Sequence, residues 1–234
     1  MEDHQSGWSQ KWLLKDLRAK AIFVQINHHK MFRQSNLIDE IHRPEPLTLL
    51  YARFQYASLK HKKDFDRLFS LLPLKPGDHV LDAGCGTGVL VPFILERITE
   101  SGILYEMDYA EKMIGVNRCR HERDNIRFIV SDAESAPLDD ASCDVVICFS
   151  CFPHFQDKEK ATLALSRILK PGGVFAVAHF DSSEGIKKHH ESCHAVMHDR
   201  LPEEAAIRAL LQAAGLGIDV FMDEPGFYCI IARK

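Results

Sequence analysis

The chain has 234 residues, 46% of them hydrophobic and 26% charged, with a formal net charge of −4. That balance describes a globular chain with room for a sizeable core, and it offers no basic excess to suggest a nucleic-acid partner. No uncharged apolar run reaches the roughly 20 residues of a bilayer span, and the first residues lack the basic start and apolar stretch of a signal peptide, so a cytoplasmic location is expected.

The seven cysteines are scattered and odd in number, which reads as reduced, mostly buried thiols. Before position 75 the sequence predicts helix. Trp8, Trp12, Leu13, Leu17 and Ala21 recur at helical spacing, with Lys11, Lys15, Arg18 and Lys20 between them. A second, bent helical stretch is expected over 47–72. After Pro76-Gly77 strand and helix alternate. Strands are expected at 78–82, 103–107, 126–130, 144–149 and 174–180. Helices are expected at 89–98, 110–120, 157–169, 184–198 and 203–214, and closing strands at 217–221 and 227–232. Lys170-Pro171-Gly172-Gly173 is expected to end the helix before the fifth strand. The strand over 144–149 is apolar throughout, as a central parallel strand covered on both faces requires. The alternation predicts an α/β fold with a mostly parallel, doubly wound sheet. It divides the chain into a helical segment, 1–74, and a sheet domain, 75–234.

The most informative stretch is Val80-Leu81-Asp82-Ala83-Gly84-Cys85-Gly86-Thr87-Gly88. It sets three glycines in a strand-to-helix turn, where backbone can approach a ligand closely and the next helix presents free amides. A glycine-rich turn alone serves many nucleotide ligands. Asp82 sharpens the reading, because a carboxylate two residues before the first glycine suits an ammonium group better than a diphosphate. Asp108 ends the second strand, 24 residues after Gly84, near the ~20-residue offset of an acid that binds ribose hydroxyls. Asp132 and Ala133 follow the third strand. All three carboxylates fall at strand carboxyl ends, the rim where open α/β sheets bind ligands.

These residues, with YEMDYAEKM (105–113), FIVSDAESAPLDDASCDVVICFSCFPHF (128–155) and ILKPGGVFAVAHF (168–180), resemble class I S-adenosylmethionine-dependent methyltransferases. The ubiquinone/menaquinone-biosynthesis type is the nearest in kind. The resemblance runs from about residue 75 to the end and implies a seven-stranded sheet with an N-terminal helical lid. It implies that Gly84, Cys85 and Gly86 hold the methionine part of S-adenosylmethionine, that Asp108 binds the ribose and that Met113 walls the site. Asp132 and Ala133 would meet the adenine, and Phe149 would lie near the transferable methyl. Tyr109 could pack on the cofactor. Ala110 stands where relatives often carry serine.

Methyl transfer asks for alignment and dryness, and for a base only where the nucleophile arrives protonated. His154 and His179, after the fourth strand and at the end of the fifth, are the candidate bases. The N-terminal segment would bring His28, His29, Phe32, Tyr51 and Tyr56 over the pocket, or else pack the sheet's flank or a twin subunit in a homodimer. One motif stands apart. His190-Glu191-x-x-His194 matches a zinc-hydrolase pattern if it lies on one helix, with His198 a turn further on. The expectation here is that any bound metal is substoichiometric and that the segment is a surface helix, with His190 a further catalytic candidate that contacts substrate if it faces the pocket. The acceptor is expected to be a small molecule. The competing readings are a nicotinamide dehydrogenase, which Asp82 and GxGxG disfavour, a zinc-dependent enzyme, and a cofactor-binding protein without turnover.

Overall fold

Strands β1 (His79–Ala83) and β4 (Cys143–Phe149) are almost wholly buried, and they lie side by side at the centre of one sheet. The computed structural model describes residues 61–194 and 196–234. The sequence-expected helices within residues 1–60, with the candidate lid residues, lie outside these. The remaining elements, in chain order, are α1 (Lys62–Leu71), α2 (Val91–Ile98), β2 (Ile103–Asp108), α3 (Glu111–His121), β3 (Ile126–Val130), α4 (Lys158–Ile168), β5 (Leu169–His179), α5 (Ser183–Glu191), α6 (Glu204–Ala213), β6 (Gly217–Glu224) and β7 (Phe227–Arg233). The sheet has seven strands in the order β3-β2-β1-β4-β5-β7-β6, with β7 antiparallel to both neighbours and all other pairs parallel. Order reverses between β1 and β4, and the crevice above such a switch point is where doubly wound sheets take ligands.

Alternation along the strands divides the core in two. Leu81, Val146, Phe175 and Ile230 face α4 and α6 through Leu165 and Ile207. Val80, Val145, Ala176 and Ile231 face α1 and α2 through Phe65, Leu68 and Ile94. Each cluster hides one face of the sheet, as a sheet with right-handed crossovers on both sides demands. α1 is therefore integral to the sheet's packing. Its Phe65 stacks on Phe93 with ring centroids 4.5 Å apart and meets Phe180 edge-on at 4.7 Å.

Two elements depart from the sequence reading. α4 stops at Ile168, before Lys170-Pro171-Gly172-Gly173, because Leu169 already pairs with Cys143. The Lys-Pro-Gly-Gly stretch lies inside β5, where Gly172 takes φ +77° and bonds the chain's last residue. α5 stops at Glu191, seven residues short of the expected end. Ser192 caps it, its amide bonding the carbonyls of Lys188 and His189, and a series of turns follows. Among the described residues no helix is long and apolar enough to cross a membrane.

Phe65→Ala should lower the unfolding free energy by about 3–5 kcal/mol, since a fully packed aromatic leaves a cavity. Urea denaturation of the full chain measures this, and a loss below about 1 kcal/mol would show that α1 contributes little to the core.

Candidate functional site

The turn after β1 is built from the residues that bracket it. The amides of Gly84 and Cys85 both bond the Met107 carbonyl, at 2.7 and 3.0 Å, which ties the turn to the end of β2. Gly84 has φ +75°, and a Cβ there would stand 2.6 Å from the Cβ of Cys151. Glycine is required at this point by backbone conformation and by space together. Cys151 in turn donates its thiol to the Ala83 carbonyl at 2.9 Å.

Asp108 closes the loop from the other side. One carboxylate oxygen accepts from the Gly86 amide at 2.9 Å and the other from the Ala110 amide at 2.8 Å. Burial pushes its carboxyl up, and these two amides pull it back toward the charged form. Asp82 is 1% exposed, and its Oδ2 is buried without a hydrogen-bond partner. Burial, and then the charge of Asp108, pushes its carboxyl up to about 8. A buried carboxylate oxygen with nothing to accept from is costly until a donor arrives. The α-ammonium of S-adenosylmethionine is such a donor, and the acid-glycine-acid arrangement of Asp82, Gly84 and Asp108 fits that cofactor.

Above the strand ends lies a cleft of about 550 Å³, within the range of pockets that hold a cofactor or drug-sized ligand. Of the sequence-predicted residues, Gly84, Asp108, Tyr109, Asp132, Ala133 and His154 line it. Tyr109 is 63% exposed on the rim, and Ala133 opens a short 3-10 turn (Ala133–Ser135) beneath. Asp82, Cys85 and Gly86 sit at or beneath the turn without lining the cleft. Met113 is buried on α3, and Phe149 packs its ring against Phe65 and Phe180 in the core. His179 is buried beside the Tyr228 ring.

His154 follows β4 on a second 3-10 turn (Phe152–His154), and its Nδ1 lies 2.7 Å from Oδ2 of Asp199. A carboxylate only accepts, so Nδ1 carries the proton and Nε2 holds the lone pair. Burial holds this imidazole below the usual histidine range, against the opposing pull of Asp199. His190 is buried, its Nδ1 2.7 Å from the Asp199 carbonyl and its ring centroid 5.2 Å from that of His154. Asp199 thus binds both histidines, and it lines the cleft with Val196.

Two readings need correction. His190 and His194 do not share a helix face, because α5 ends at Glu191, and both Glu191 and His194 are exposed. Among the described residues no group of three or more histidine, cysteine, aspartate or glutamate side chains is arranged to hold a metal. The cysteines are not all scattered. Cys148 and Cys151 form a Cys-x-x-Cys spacing at the end of β4, both buried and free, and the thiol of Cys151 is pushed up by burial and by Cys148. Asp199 was invisible to sequence reasoning, since it carries no motif and lies beyond the expected end of a helix. Glu106 was equally missed, although a charge inside an apolar strand was a signal that could have found it.

Residues 81–177 match the family model described as a methyltransferase domain. The chain is 32% identical over 110 residues to the ubiquinone/menaquinone biosynthesis C-methyltransferase UbiE of Vibrio vulnificus (strain YJ016), covering 45% of this chain and 42% of that protein. It is 33% identical over 148 residues to the malonyl-[acyl-carrier protein] O-methyltransferase of Marinomonas sp. (strain MWYL1), covering 59% and 50%. The matches thus span about half the length of these curated relatives or less. A SAM-dependent methyltransferase from Aquifex aeolicus shares the fold, with a TM-score of 0.59 at 21% identity over 78% of this chain and 96% of that one. Residues 81–177 are therefore similar to a methyltransferase domain, and the described residues share the fold of a SAM-dependent methyltransferase.

Proposed function

We propose that this chain methylates a small-molecule acceptor whose reacting atom gives up a proton to His154. The observation that carries the cofactor half of this reading is the unpartnered, buried Oδ2 of Asp82 behind the glycine turn. The cofactor, when bound, supplies a methyl group already activated by the sulfonium. The chain's own residues bind and orient. Asp82 takes the ammonium, Gly84 lets the methionine part pass close to backbone, and Asp108 accepts from the ribose with the lone pairs its two amide bonds leave over. Asp132 and Ala133 meet the adenine, and Tyr109 covers the rim. Cys85, Gly86, Met113 and Phe149 shape these positions from behind.

The acceptor half rests on the His154–Asp199 pair. A neutral imidazole oriented by a carboxylate, on the wall of a cleft, is the arrangement of a general base. It favours a hydroxyl or similarly protonated nucleophile over one that already carries a free lone pair. His190 holds the Asp199 segment in place and acts as a positioning residue. His179 has no part in this scheme. The N-terminal segment is proposed to cover the acceptor. Seven free thiols suit the cytoplasm.

Asp108→Ala should weaken S-adenosylhomocysteine binding by about 1.5–3 kcal/mol through loss of charge-assisted hydrogen bonds. Unchanged affinity by calorimetry would remove Asp108 from the site.

His154→Ala and Asp199→Asn should each lower turnover by about 10²–10⁴-fold while cofactor affinity stays within about twofold. A panel of hydroxylated and amine acceptors, assayed by transfer of a labelled methyl, provides the rate. In the parent enzyme the rate should fall only in acid, below the ordinary histidine range, as His154 takes up a proton. Turnover that survives both substitutions would assign proton removal to another group or to none.

Deletion of residues 1–40 should preserve S-adenosylhomocysteine binding and abolish methyl transfer. Normal turnover in the truncated enzyme would show that this segment does not cover the acceptor.

A further inference from the structure

β1 and β2 run parallel with Asp82 directly opposite Glu106, and neighbouring strands stand about 4.8 Å apart. One step back on the same face, Val80 and Leu104 belong to the apolar cluster under α1 and α2. That face changes character at its carboxyl end, where Asp82, Glu106 and Asp108 are 1%, 0% and 2% exposed. Asp108 has both oxygens bonded to amides. Glu106 does not. Its Oε2 accepts from Nδ2 of Asn117 on α3, which also reaches Sγ of Cys85 at 3.4 Å. Its Oε1, like Oδ2 of Asp82, is buried with no hydrogen-bond partner. Among the described residues no basic side chain bears on either carboxyl. The other groups that face them are the thiols of Cys85 and Cys151, and burial, first of all, keeps both protonated.

Two adjacent buried carboxylates without a cation cannot both be ionised at low cost. We infer that Asp82 and Glu106 form one proton-holding pair in the cofactor site, and that this pair releases a proton to solvent when the cofactor's ammonium docks on Asp82. The inference rests on the cofactor reading given above and adds Glu106 to it as a positioning residue. The exchange balances simply. A carboxyl O–H breaks, the proton passes to water, and the carboxylate left behind is neutralised by the incoming ammonium. Glu106 keeps the second proton, bonded to Asn117 and so linked to the glycine turn. Asn117 is wedged there tightly, for a Cβ on Gly88 would stand 2.2 Å from its Oδ1. The separate tendencies of the two groups agree with the geometry. Burial and then Asp82 hold the Glu106 carboxyl well above its usual range, and Asp82 titrates about 8. The pair therefore carries a proton at neutral pH that the ammonium must displace.

The sign follows from linkage. A ligand that binds the deprotonated pair gains affinity as pH rises toward 8, by about tenfold per unit below the titration, and flattens beyond it. The test uses two probes on the full chain. S-adenosylhomocysteine carries the ammonium, and 5′-methylthioadenosine is the matching nucleoside thioether without it. Titration calorimetry between about pH 5.5 and 7.5, a range in which the ligand amine stays charged, should show the first gaining affinity steeply with pH and the second not at all. Buffers of different ionisation enthalpy should count about one proton released for the first probe and none for the second. Glu106→Gln keeps an acceptor for Asn117 and turns a donor toward Asp82. Because Glu106 keeps its proton throughout, this neutral isostere should leave the midpoint and the released proton in place, whereas Glu106→Leu, which has no donor for Asp82, should move the midpoint up. A flat pH profile for S-adenosylhomocysteine, equal profiles for both probes, or a midpoint lowered in a folded Glu106→Gln variant would each overturn the inference. If that variant fails to fold, proton counting on the parent chain decides alone. Failure of either probe to bind at any pH would instead remove the cofactor reading, and this inference with it.

Discussion

The carboxyl end of the sheet is organised by one side chain that bonds backbone at both oxygens. Asp108 accepts from Gly86 in the turn after β1 and from Ala110 at the start of α3. Those segments belong to different crossovers, so a single carboxylate fixes the distance between a glycine turn and the helix that follows the neighbouring strand. The turn carries too little side chain to set its own shape. Its conformation is imposed by Met107 from below, by Cys151 behind Gly84 and by Asp108 from the side. Burial pushes the carboxyl of a group so employed up, and its two amides favour the charged form against that push. The same charge then raises the neighbouring Asp82. Loop architecture and site electrostatics are consequences of one arrangement.

That arrangement is bought with stability. A sheet face that is apolar along most of its length ends in three buried carboxyls. Apolar residues of similar volume would pack better in the absence of a ligand. Buried carboxyl oxygens left without a hydrogen-bond partner at the rim, on Asp82 and Glu106, are the arrangement expected where a site is prepared in advance of its ligand.

Much of this was legible in the sequence, for identifiable reasons. The strand-helix alternation survives because parallel strands covered on both faces must be apolar, and β4 is. Asp82, Gly84 and Asp108 could be read because chemistry and backbone conformation both restrict what may stand at those positions. The failures have physical causes as well. The helix expected over 184–198 breaks at Glu191 because the following turn is fixed by tertiary bonds, above all the carbonyl of Asp199 on His190, that no local pattern encodes. With that break the histidine repeat loses its common face, and the apparent zinc motif loses its meaning. Asp199 itself sits 45 residues from its partner His154, a separation over which pattern carries nothing.

The early end of α5 has a broader consequence. It frees residues 192–194 and 196–203 from regular structure and makes this one short connection the source of Val196 and Asp199, while the rest of the cleft wall is drawn from the chain up to Lys160. The two halves of the wall therefore answer to different rules. Strand ends and glycine turns tolerate little change, because each position is constrained by neighbours on both sides. A connection between two helices accepts insertions and replacements readily, so long as its ends stay in place. Such a division lets a lineage exchange one reaction partner for another by altering a dozen residues, with the costly, preorganised half of the pocket inherited intact.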